Sequence, residues 1–145
     1  SMGYYSEVAF AIRGRKEDVV PALVTYRSKG LIEKKALDEC TYHEHEGTVT
    51  ILYHQESVKW YEDFEEVRAL NGIYDFFKDI EEDPEHETEF EGRFIRIGEE
   101  NEDIHDHEFG AEPWDMLGYS RLIDINVSNS PEDTLEKLCA TPTPT

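Results

Sequence analysis

One stretch of this chain admits a single kind of element. Phe64, Val67, Leu70, Ile73, Tyr74, Phe77 and Ile80 recur at spacings of three and four, the period that lines one side of an α-helix with apolar groups. The spacing predicts one continuous helix over Trp60–Glu82, with Phe64, Val67, Leu70 and Phe77 buried. Gly72 weakens that helix by ~1 kcal/mol relative to Ala without breaking it. A helix with one apolar stripe needs a surface to lie on, and the flanking segments supply a sheet. Tyr5–Arg13 alternates, with Tyr5, Glu7, Ala9 and Ala11 on one side and Ser6, Val8, Phe10 and Ile12 on the other. Leu37–His45 and Thr48–Gln55 read as a hairpin, joined by Glu46-Gly47, where Gly is free to take positive φ. Phe90, Phe94, Ile95 and Ile97 mark a further strand, and Tyr119–Val127 a last one after an acidic loop, Gly98–Gly118.

Lys16–Lys29 reads as a helix with Asp18 as cap, Pro21 in its first turn and Gly30 as its stop. Residues 31–36 either prolong it or form a loop. Ser130-Pro131-Glu132-Asp133 has the order of an N-cap, a first-turn Pro and first-turn acids. It predicts a short terminal helix through Leu135 and Leu138, followed by a mobile tail, Thr141–Thr145. The element order β-α-β-β-α-β-β plus a helix makes the chain α+β. It points to a ferredoxin-like βαββαβ sandwich with an extra strand and both main helices on one face. Residues 3–127 are expected to form one domain, with 128–145 as a short helix and flexible tail. A length of 145 residues suits a single core. Such a fold hosts many unrelated activities and selects none.

Charge narrows the function. The net charge is −20 and is unevenly spread: residues 1–40 carry seven bases and six acids, the remainder seven bases and 28 acids. Between Glu81 and Glu112 fourteen acids face only Arg93 and Arg96. That field repels nucleic acid, which needs Lys and Arg at its phosphates, and draws basic proteins or cations. The competing explanation is that the charge serves solubility. The chain has no apolar run of ~18 residues, so no membrane helix is expected. Ser1 reads as an addition ahead of a native Met2, and no basic segment precedes an apolar stretch at the start. Cys40 and Cys139 make neither a disulfide framework nor a zinc ribbon, so the expected setting is a reducing cytoplasm.

Three segments are distinctive together. They are Gly3-Tyr4-Tyr5-Ser6-Glu7-Val8-Ala9-Phe10-Ala11-Ile12, Val58-Lys59-Trp60-Tyr61-Glu62-Asp63-Phe64-Glu65-Glu66-Val67, and Phe94-Ile95-Arg96-Ile97-Gly98-Glu99-Glu100-Asn101-Glu102-Asp103-Ile104. In this order they resemble a loose group of small accessory proteins of tailed bacteriophages, over about residues 3–127. The resemblance implies a phage product acting on host machinery in a bacterial cytoplasm. It carries no catalytic residue.

Two His-x-His pairs stand out, His43-Glu44-His45 and His105-Asp106-His107. In a strand i and i+2 share a side, and imidazole nitrogen suits Zn²⁺, Ni²⁺ or Cu²⁺. Set against this, both pairs lie in wet, acidic surroundings, and the expected protein has no metal or other cofactor. Glu99–Asp115 holds eight acids and no base but lacks EF-hand spacing. Its Glu99, Glu100, Glu102, Asp103, Asp106, Glu108 and Trp114 are the expected partner-binding residues. Trp114 is expected as a lid over the core, the alternative being an exposed anchor. No nucleophile elbow or phosphate loop is present, and no catalytic residue is assigned. The favoured reading is a non-enzymatic inhibitor of a host protein, for example one of a defence system, whose basic nucleic-acid-binding surface it occupies. The alternatives are a small metal-dependent or hydrolytic enzyme built on the four histidines, and an acidic scaffold of phage assembly.

Overall fold

β1 (Ser6–Arg15) is the strand on which the rest is assembled. Its two faces are both apolar but differ in size: Val8, Phe10 and Ile12 point one way, Ala9 and Ala11 the other, and all five are fully buried. The computed structural model describes residues 3–120, 122–127 and 132–140. After β1 come α1 (Lys16–Arg27), α2 (Leu31–Asp38), β2 (Thr41–His45), β3 (Thr48–Val58), α3 (Glu65–Glu82), β4 (Glu91–Ile97) and β5 (Ile104–Phe109). A 3-10 turn (Pro113–Asp115), β6 (Leu117–Tyr119), β7 (Ile123–Ile125), β8 (Glu132–Asp133) and α4 (Leu135–Cys139) follow. The chain is thus α+β, with an antiparallel sheet in the order β5-β4-β1-β3-β2-β8 and a separate β6-β7 hairpin.

The helices cover the face carrying the large side chains. Phe10 lies at the middle of an aromatic cluster, 5.4 Å from the Tyr53 ring, 6.1 Å from Tyr74 and 6.3 Å from Phe94. Phe77 of α3 meets Phe90 edge-to-face at 4.9 Å. Gly72, a liability in an isolated helix, is a notch here: a Cβ would stand 2.4 Å from Tyr26 Oη, whose hydroxyl donates to the Ala69 carbonyl at 2.6 Å. The opposite face holds a smaller core of Ala9, Ala11, Ile95, Met116, Leu117 and Ile123. There the roof is the 3-10 turn and the β6-β7 hairpin.

The hairpin β2-β3 forms as expected. Glu46 (φ 50°) and Gly47 (φ 81°) both take the left-handed conformation that matches strand twist. Other boundaries differ from the sequence expectation. α3 begins at Glu65, because Trp60 is drawn against Tyr53 and Phe94 at 5.8 and 6.1 Å and the chain must turn before the helix can run. Phe64 accordingly sits at the N-cap and is 42% exposed, not buried. Leu37 belongs to α2, a separate helix, and not to β2. Asp18 does not cap α1; its carboxylate is held by Arg15 at 3.0 Å. The expected loop Gly98–Gly118 contains a whole strand, β5, and the expected strand Tyr119–Val127 contributes only β7 and the end of β6. Residues 132–140 join the body, since β8 pairs with β2 and Leu135 and Leu138 enter the main core. α4 is capped by Thr134, whose hydroxyl accepts from Lys137 N at 3.1 Å. The expected cap Ser130-Pro131 and the tail Thr141–Thr145 lie outside the described residues.

Candidate functional site

The acidic segment after β4 is organised by three arginines. On the outer face, away from the helices, Arg93 grips Asp106 in a two-pronged pair at 3.0 and 2.8 Å and also donates to the Leu117 carbonyl. Arg13 grips Asp115 at 3.2 and 3.1 Å and Glu91 at 2.8 Å. On the helix face Arg96 holds Asp103, which also accepts the Tyr4 hydroxyl at 2.6 Å. Arg96, and then the Tyr4 hydrogen bond, hold the Asp103 carboxyl down at about 2. Glu99 accepts from the Tyr5 backbone at 3.0 Å. So Glu99, Asp103 and Asp106, expected to face a partner, also tie the segment to the rest of the chain, with Glu99 and Asp106 still exposed. Glu100, Glu102 and Glu108 remain exposed and make no ion pair among the described residues, and Glu112 joins them.

Trp114 is not a lid. It is 57% exposed on the 3-10 turn, while its neighbours Pro113 and Met116 are the buried ones. The turn is pinned from below by Arg13 to Asp115 and by Arg93, whose Nη1 lies 3.5 Å from the Trp114 carbonyl. Arg93 is itself the cross-strand neighbour of Glu108. The backbone of the turn is thereby tied down and its indole lies exposed, near carboxylates that make no ion pair among the described residues, the composition of an aromatic anchor with a charged rim.

β5 is an edge. Gly98 N donates to the Asp103 carbonyl at 2.8 Å, and Ile104 N turns instead to the Glu102 carbonyl. Antiparallel alternation from that bond directs the backbone groups of His105, His107 and Phe109 toward β4. Those of Ile104, Asp106 and Glu108 point outward, where no strand pairs with them among the described residues.

The histidine pairs do not meet. His43 and His45 lie on β2 opposite Thr50 and Thr48, on the outer face. His105 and His107 lie on β5 opposite Arg96 and Phe94, on the helix face. Four strand steps separate β2 from β5, roughly 19 Å at ~4.8 Å each. A single centre built on all four is excluded by this geometry, and among the described residues no three His, Cys, Asp or Glu converge as metal ligands. His107 stacks on Phe94 at 4.9 Å with Tyr74 edge-on at 5.4 Å. Burial, with Lys78 adding to it, lowers its pKa although the residue as a whole is exposed. It borders a groove of about 760 Å³ between α3 and β4-β5, lined also by Trp60, Arg68, Asp75, Arg96 and His105. Loss of hydration raises the Asp75 pKa there.

Sequence reading missed the edge strand and its arginine clamps. Between Ile104 and Phe109 the residues His105–Glu108 are all polar, so the segment shows no apolar alternation; the spacing Arg93-x-x-Arg96 opposite an acidic run was its one visible sign. No helix of the described residues is long and apolar enough to cross a membrane. No protein-family model, curated protein or solved structure matches the chain.

Proposed function

We propose that this chain is a non-enzymatic acidic binding protein, phage-encoded, which docks on a basic surface of a host protein and inhibits it. The observation that carries this reading is the exposed Trp114, on a turn whose backbone is tied to Arg93 near Glu108 and Glu112, next to a strand edge that is unpaired among the described residues. An exposed indole contributes a large contact area, and the surrounding acids speed encounter with a basic partner. The phage resemblance supplies the expectation of a host target in the bacterial cytoplasm. The strand order β4-β1-β3-β2 with its two helical crossovers supports a ferredoxin-like core for the sandwich. That fold type is common to many activities, so the surface carries the proposal.

The test is capture of the partner from a bacterial lysate, followed by kinetics with the purified pair. Association should slow as salt rises, because exposed charges are screened beyond about 8 Å at physiological ionic strength. Trp114→Ala should weaken binding by ~2 kcal/mol or more and leave the melting temperature unchanged. Binding that ignores salt, Glu108→Lys and Trp114→Ala alike would show the acidic face to be a solubility device.

A further inference from the structure

We propose that the free edge of β5 receives an extended basic segment of the partner as a further strand of the sheet. The inference rests on the binding-protein reading above and specifies the form the partner takes. Asp106 and Glu108 present their backbone N–H and C=O groups outward along one line, with no partner among the described residues, while the Ile104 N–H is already taken by the Glu102 carbonyl. Such a row is a template for strand addition. The opposite end of the sheet offers much less, since β8 has only two residues among those described.

Side-chain alternation decides what fits. On the outer face an added strand meets Asp106 and Glu108, with Trp114 close by through Arg93. Asp106 already answers to Arg93, whereas Glu108 is unpaired, so the local field stays negative. A second copy of this chain is disfavoured as occupant. It would set β5 acids against β5 acids on molecules of net charge −20 each, and like charges directly opposite destabilise a ladder. A segment with Lys or Arg at alternate positions meets the same side chains favourably. Its intervening side chains fall on the helix face, at the rim of the groove lined by Trp60, Arg68, His105 and His107. There the stacked His107 and Phe94 rings suit apolar or aromatic groups.

The experiment titrates the full chain, isotope-labelled, with the blocked peptide Thr-Lys-Val-Lys-Val-Lys-Thr at low salt and follows amide hydrogen exchange. In the free protein the Asp106 and Glu108 amides should exchange readily, whereas His105 and His107 are protected by β4. At saturating peptide the first two should slow by about tenfold or more and the second two should not change. N-methylating the peptide residues that face β5 should weaken binding by about tenfold or more, because it deletes main-chain donors and leaves the lysines in place. Peptide binding that leaves Asp106 and Glu108 exchanging freely, or that tolerates N-methylation, overturns strand addition while the electrostatic binding reading stands. Absence of peptide binding at low salt also overturns strand addition. The binding reading is then judged separately, by the response of the captured partner to Glu108→Lys.

Discussion

The two faces of the sheet are held by different forces. The helix face is closed by size: Phe10, Tyr53 and Phe94 of the sheet interlock with Tyr74 and Phe77 of α3, and all are buried. The outer face has alanines at its centre and a roof of short segments that bury little, so polar ties fasten it. Arg13 and Arg93 anchor the 3-10 turn and β6, and the buried Glu7 carboxylate accepts from Ile123 N at 2.9 Å while lying 2.8 Å from His54 Nε2. Hydrophobic burial tolerates changes in pH and salt, whereas a charge-fastened roof responds to both. The proposed docking surface is built on the second kind of face. Its chemistry can therefore change while the core beneath is left intact.

Four substitutions break or sharpen this contrast. Phe10→Ala should be the most damaging, with a loss of ~3–5 kcal/mol from an unrelaxed cavity, read as a fall in denaturation midpoint common to every probe. Arg93→Ala should cost ~1.5–3 kcal/mol, the range for hydrogen bonds to charged groups. Its loss should be local: amide exchange rises in β6 and the 3-10 turn while α3 keeps its protection. Uniform loss across both faces would mean that the roof is not a separate unit.

Asp103 gives a pH signature. Its folded pKa of about 2 lies below the ordinary 3.8, so its contribution is complete above 3.8 and is lost as pH falls toward about 2. Asp103→Asn should flatten the acid limb of the stability curve in that window, as measured by denaturation at successive pH values. A limb of unchanged slope would remove Asp103 from the account. The smallest effect belongs to Glu102→Lys, an exposed acid without an ion pair among the described residues, which should shift stability by no more than ~0.5 kcal/mol. A larger loss would show that the free acids also fasten the roof.

The reach of the sequence follows the same division. Elements with regular apolar periodicity were legible: β1, the body of α3 and the β2-β3 hairpin with its Glu46-Gly47 turn stand where periodicity put them. β5 was not legible, because its four central side chains, His105–Glu108, are all polar and its strand character comes from pairing with β4. Trp114 was misread for a related reason. Pro113 and Asp115 flank it equally well in a lid or an outward turn, and in the folded chain Asp115 is held by Arg13 while Met116, not Trp114, is buried.

The sequence alone determined that a helix with a regular stripe would lie on an antiparallel sheet and that the chain would carry a strong negative field. Both follow from side-chain period and charge, which are local properties. Which acids stay free was decided only by the tertiary structure, because Arg13, Arg93 and Arg96 select their carboxylates by strand register and loop path across separations of up to about a hundred residues. The separation of the two histidine pairs was decided in the same way. Strand parity puts each pair on one side, but only the pairing register sends His43 and His45 to one face and His105 and His107 to the other, and only the order of strands sets the pairs four strand steps apart.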